Sequence, residues 1–123
     1  MDVKTAVKEV LRVYAEMHLP ENLANPSFLS ERMEILSHYL GLLDVHLAGF
    51  ERDLETETAL KLKHYLVDDS MKVTQAEKMV KIETADLKAK VTYLSRIVAS
   101  GWKQVGVLQS RINHLTAEWN LKL

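Results

Sequence analysis

Apolar residues in this chain recur at alternating spacings of four and three over most of its length, and the rhythm pauses in only a few places. Val3, Val7, Val10, Tyr14 and Met17 follow it, which collects their side chains on one face of a helix. The spacing predicts helix 1 over about residues 2–17. The segment HLPENLANPS follows and carries both prolines, Pro20 and Pro26. Because proline fixes φ and removes a backbone donor, this is the clearest loop.

Ser27 or Ser30 can cap the next helix by accepting a hydrogen bond from a free N–H of its first turn. Leu29, Met33, Leu36, Leu40, Leu43, Leu47, Phe50 and Leu54 then continue without a break. The next position in step is Glu57. Thr58, Leu62 and Tyr65 resume the seam one residue late, a discontinuity that locally changes how helices wind on one another. Helix 2 is therefore expected over about residues 28–67. VDDSMKV reads as a turn, after which Thr74 and Glu77 match a T-x-x-E capping box. Val80, Thr84, Leu87, Val91, Leu94, Val98, Gly101, Val105, Leu108, Ile112, Leu115 and Trp119 keep the spacing, with Thr84 the one polar member. They predict helix 3 over about residues 74–119, a rod of roughly 65 to 70 Å at 1.5 Å per residue. Gly101 and Gly106 are the places where it could bend or split.

The pattern thus predicts one all-α domain over residues 1–123: a short N-terminal helix followed by a long helical hairpin with coiled-coil-like heptad seams. A rod of that length exceeds what one globule of this size covers, so its remainder is expected to pair with identical chains in a homo-oligomer. Leu87, Val91, Leu94, Val98, Val105, Leu108, Ile112, Leu115 and Trp119 form the expected interface. Aspartate at Val98 or Leu108 is expected to dissociate it, because a buried unpaired carboxylate is strongly unfavourable.

Composition narrows the setting. The chain has no cysteine, which excludes disulfides and thiolate metal sites and fits a reducing cytoplasm. No apolar run approaches the roughly 20 residues of a membrane helix, and MDVKTAVKEV lacks the layout of a secretory signal. A protein of the cytoplasm without a membrane partner is expected. The net charge of −1 conceals an asymmetry: residues 1–60 carry 5 Lys/Arg against 11 Asp/Glu, net −6, and residues 61–123 carry 11 against 6, net +5. Such polarisation suits a protein with one anionic partner.

Signatures of catalysis are missing from the sequence. It has no glycine-rich phosphate loop, zinc-protease pair, nucleophile elbow or E-x-x-H motif. No enzymatic activity, metal or other cofactor is expected. His114 with Glu118, and His38 near Asp44, read as surface contacts. Glu55 and Glu57, two apart, point to different faces of a helix and read as solvated charge.

The basic residues are more informative. At about 100° per residue, Lys78, Lys81, Lys88, Arg96 and Lys103 fall within an arc of roughly 80°, centred some 130° from the apolar seam. Ala85, Thr92 and Ala99 lie between them and are small enough to let a phosphate backbone approach. A polyanion on such a row would release counterions and bind with strong salt dependence. The same row is also what any solvated helix carries on its outside. Trp102 and Trp119 lie beside or on the seam and read as packing anchors. Tyr65, next to Lys63 and His64, is the better candidate for stacking on a base.

The segment ALKLKHYL, Ala59 to Leu66, resembles the short Ala-Leu-Lys-x-basic segment of the UvsY-type recombination mediators of tailed phages. The layout of residues 30–118 resembles that family's as well. In that family the segment contacts single-stranded DNA, and Lys61 and Lys63 would be its basic residues here, with lysine where the family can have arginine. The resemblance implies a non-enzymatic, ring-forming protein of the host cytoplasm. It would bind single-stranded DNA, help displace a single-strand-binding protein and load a RecA-like recombinase, many weak contacts acting at high effective concentration around a ring. Two other readings fit the same residues: an oligomeric coiled-coil adaptor, or a phage-encoded inhibitor of a host protein, neither binding nucleic acid.

Overall fold

The computed structural model describes residues 1–19 and 24–122, the side chains of Trp119 and Lys122 excepted. Pro20, expected in the first loop, and the Trp119 side chain, expected in the oligomer seam, lie outside the described residues. Regular structure among the described residues is entirely helical: α1 (Val3–Met17), α2 (Pro26–Lys63), a π-helical turn (His64–Asp68), α3 (Val73–Glu83) and α4 (Ala85–Lys122). The all-α class read from the periodicity is the one observed. No helix among the described residues is long and apolar enough to cross a membrane.

The helix ends correct several expectations. Asp2 caps α1, its Oδ1 accepting from the Thr5 N–H at 2.7 Å. On α2 the cap is Asn25, whose Oδ1 accepts from the Phe28 N–H at 3.1 Å, and neither Ser27 nor Ser30 caps the helix. Pro26 is the first helical residue, where its missing N–H costs no hydrogen bond. Thr74 and Glu77 do not form a capping box, because α3 already begins at Val73 with Lys72 at the cap position and no side-chain bond there. The expected end of helix 2 near residue 67 is reached through the π-helical turn, where the Asp69 N–H donates to the His64 carbonyl at 3.2 Å.

The expected helix 3 is two helices. Thr84, at φ −98° and ψ 3°, leaves helical geometry between α3 and α4. Its Oγ1 donates to the Val80 carbonyl at 2.7 Å, the back-bonding by which threonine bends helices. Some backbone pairing survives the bend: the Thr84 N–H donates to Val80 and the Thr84 carbonyl accepts from Lys88, both at 2.9 Å. Gly101 and Gly106 leave α4 unbroken. Gly101 is buried, and a Cβ there would collide with the methyl groups of Leu40, whereas a Cβ at Gly106 would meet nothing within 4 Å.

The chain divides into two compact units, Met1–Asp44 with Arg96–Leu123, and Val45–Ser95. In the first, Ala6, Val10, Val13 and Met17 of α1 and Leu29, Leu36, Leu40 and Leu43 of α2 are buried, together with Val98, Leu108 and Leu115 of α4. Burying one such leucine contributes about 1.5–3 kcal/mol. The buried face of α1 is therefore turned from the expected one. Ala6 is too small to register as a seam position, and the Tyr14 ring sits outside, stacked on His18 with centroids 4.2 Å apart. Polar contacts join the same helices. Arg32 meets Glu16 at 3.2 Å, and Trp102 Nε1 donates to Asp44 Oδ2 at 2.9 Å.

The Val45–Ser95 unit contains the second part of α2, the π-helical turn, α3 and the first part of α4. Its buried residues are Ala76 and Val80 of α3, Thr84 and Leu94. Leu54 and Leu62 of α2 are only half-buried. Ser70 joins the π-helical turn to α3 with φ 52°, a left-handed conformation for a residue with a side chain.

Candidate nucleic-acid interface

Lys61, Lys63, His64 and Tyr65 occupy the end of α2 and the start of the π-helical turn. Lys61 and Tyr65 are four apart and converge on one group, Glu83, the last residue of α3. The Tyr65 hydroxyl donates to Glu83 Oε1, and Lys61 Nζ lies 3.4 Å from Oε2. The Tyr65 hydrogen bond, followed by the Lys61 charge, lowers the Glu83 pKa below the usual carboxylate value. The Tyr65 phenol is raised by the same contact. Tyr65 is thus held by its hydroxyl, with its ring half-buried, rather than presented as an open stacking surface.

His64 turns to the acids that follow it, with Nδ1 2.9 Å from Asp68 Oδ2 and Nε2 3.6 Å from Asp69 Oδ2. Lys63 is exposed and forms no ion pair with a described residue. These four of the eight residues in ALKLKHYL therefore differ: Lys63 is open, and Lys61, His64 and Tyr65 are engaged with carboxylates.

The lysine row is divided by the bend at Thr84. Lys78 and Lys81 lie on α3; Lys88, Arg96 and Lys103 lie on α4. Lys78, Lys81 and Lys88 belong to the Val45–Ser95 unit, Arg96 and Lys103 to the other. All five are exposed. None forms an ion pair with a described residue. Lys81 and Lys88 are not on the far side from the apolar seam, as the single-rod geometry placed them. They line a groove of about 290 Å³ together with Leu54, Thr58 and Leu62 of α2, Glu77 and Val80 of α3, and Thr84. The groove has an apolar floor, and its charged lining is two lysines, Lys81 and Lys88, and one acid, Glu77. Three of its members, Leu54, Thr58 and Leu62, are the seam residues that flank the discontinuity in helix 2.

The residues expected in an oligomer interface also separate. Leu94, Val98, Leu108 and Leu115 are buried within a single chain. Leu87, Val91, Val105 and Ile112 are half-buried. Aspartate at Val98 or Leu108 would consequently disrupt the chain's own packing whether or not it assembles, so neither substitution reports on an oligomer. The His114–Glu118 pair forms a surface contact, Nε2 to Oε1 at 3.0 Å. Among the described residues no three His, Asp or Glu side chains gather as metal ligands would.

Sequence reasoning missed Glu83 and the groove. Glu83 has no local motif, and its two donors lie on other elements, Lys61 on α2 and Tyr65 in the π-helical turn. The groove had a signal in Thr84, the one polar residue on an otherwise apolar seam. Comparison with protein families, curated proteins and solved structures finds no match to the chain.

Proposed function

We propose that this protein is a non-enzymatic, homo-oligomeric single-stranded DNA-binding protein of the recombination-mediator kind, contacting the DNA backbone through its Val45–Ser95 unit. The observation that carries the reading is the set of six exposed lysines, Lys63, Lys72, Lys78, Lys81, Lys88 and Lys90, without carboxylate partners among the described residues of one helical unit. An exposed ammonium loses little by exchanging solvent and counterions for phosphate, and several together give affinity without base recognition. The ALKLKHYL resemblance supports the same assignment. It also supplies the expected partners, a RecA-like recombinase and a single-strand-binding protein.

A fluorescently labelled oligonucleotide titrated at increasing salt tests the proposal. Binding should weaken steeply with salt. The slope should shrink by about one when Lys63→Ala, Lys78→Ala or Lys81→Ala leaves one phosphate without its neutralising lysine. Absence of binding at low salt would remove the proposal. Light scattering should give the mass of several chains. A monomeric mass with and without oligonucleotide would remove the ring-forming part.

The groove favours a second reading, a helical adaptor. Its apolar floor of Leu54, Leu62 and Val80 suits a side chain from a partner protein, and Lys81 and Lys88 suit acids beside it. An adaptor without nucleic-acid affinity would show no oligonucleotide binding. It would lose its protein partner on Leu62→Asp.

A further inference from the structure

The arrangement around Glu83 is that of an occupied anion site. A hydroxyl and an ammonium, one helical turn apart on the α2 side, reach the two oxygens of a single carboxylate. A backbone phosphate offers the same two acceptors. We propose that Lys61 and Tyr65 form a phosphate-binding pair that Glu83 occupies in the free protein, and that single-stranded DNA engages this pair by displacing the carboxylate. The inference rests on the DNA-binding reading above and assigns to Glu83 a role that reading leaves open.

Three features make displacement feasible. The Lys61 and Glu83 side chains keep 37% and 30% of their surface exposed, so an incoming phosphate can reach the pair without unfolding the unit. Glu83 is the final residue of α3, and a carboxylate at a helix C-terminus meets the unfavourable end of the helix dipole. Its position is therefore held by Lys61 and Tyr65 rather than by its own helix. The bend at Thr84 immediately follows, interrupting the regular helix at the point where Glu83 would have to turn away. Exchange of one anion for another leaves both donors satisfied. Glu83 also keeps Lys61 and Tyr65 from binding weaker anions, while a polyanion already gripped by the open lysines presents its next phosphate at high local concentration.

The test compares oligonucleotide affinity for the full chain and four variants at fixed salt. Glu83→Gln keeps an oxygen to accept from Tyr65 and removes the charge that competes with phosphate. It should bind about two- to five-fold more tightly than the unsubstituted protein, the range expected for releasing one exposed ion pair. Glu55→Gln changes the net charge equally at an exposed position away from Lys61 and Tyr65 and should give a smaller gain. In a Lys61→Ala background the gain from Glu83→Gln should vanish. If the unsubstituted protein binds DNA while Glu83→Gln gains no more than Glu55→Gln, or gains equally in Lys61→Ala, the displacement mechanism is wrong and the DNA-binding reading stands. If neither the unsubstituted protein nor any variant binds, both fall together.

Discussion

The unit formed by Met1–Asp44 with Arg96–Leu123 and the Val45–Ser95 unit use the same apolar rhythm to different ends. In the first, Met17, Leu29, Leu36, Leu40 and Leu43 from two helices lose essentially all exposure, and α4 adds Val98, Leu108 and Leu115. Its seams close on each other. In the second, Ala76 and Val80, Thr84 and Leu94 are buried, while Leu54 and Leu62 line a groove. Its seam is left partly uncovered, with lysines at the edge. Heptad spacing alone does not distinguish a packed core from a binding surface; the side chains that flank the seam do.

Core truncation should separate the units most strongly. Leu36→Ala should cost about 2–5 kcal/mol in urea unfolding, the range for a fully buried leucine. Leu62→Ala, half-exposed already, should cost about 1 kcal/mol. Equal losses at the two sites would erase the contrast between them.

The two glycines of α4 that sequence reasoning treated alike should respond with opposite signs. Gly101→Leu places a side chain against the buried Leu40 and should destabilise by about 1–3 kcal/mol. Gly106→Ala meets no atom within 4 Å, and should stabilise by about 0.5–1 kcal/mol through helix propensity. Thermal melts of both variants decide the matter.

In the Val45–Ser95 unit, pH should act through Glu83 and Tyr65. Glu83 titrates below its ordinary value of 4.5 because the Tyr65 hydroxyl, then Lys61, favours its charged form. Its stabilisation is present above that value and is lost as pH falls through the lowered one. Tyr65 titrates above its ordinary value of 10.0 because Glu83 favours the neutral phenol. That contribution is present below 10.0 and is lost as pH rises through the raised value. Protection of the amides around residues 61–65 and 83, measured relative to the unfolded chain at each pH, should be greatest between these limits and fall outside them. Glu83→Ala should flatten the profile.

The smallest effect concerns the connection at Ser70. Its φ of 52° is one that glycine adopts without a Cβ penalty, so Ser70→Gly should be neutral or gain up to about 0.5–1 kcal/mol. A clear loss in urea unfolding would show that the serine side chain contributes there.

Helix existence was legible throughout, because runs such as Leu29 to Leu54 repeat too regularly to be anything else. Helix ends were less so. Asn25 and Lys72 displaced the expected caps, since capping depends on where the chain enters the helix as well as on residue type. The Thr84 bend was visible as an anomaly and misjudged, glycine being weighed above a threonine that bonds back to Val80. On the candidate site, sequence order grouped Lys61, Lys63, His64 and Tyr65 correctly as neighbours. It could not show that Glu83, 18 residues beyond Tyr65, returns to two of them. Such a contact is a product of tertiary packing, with no local signature to read.

Amide hydrogen exchange with and without a single-stranded oligonucleotide at low salt tests most directly whether the Val45–Ser95 unit is the binding surface. Slowed exchange over residues 61–90, with α1 and the buried Leu29–Leu43 segment of α2 unchanged, is the expected result. Protection confined to α1 and the first part of α2, with residues 61–90 unaffected, would contradict it.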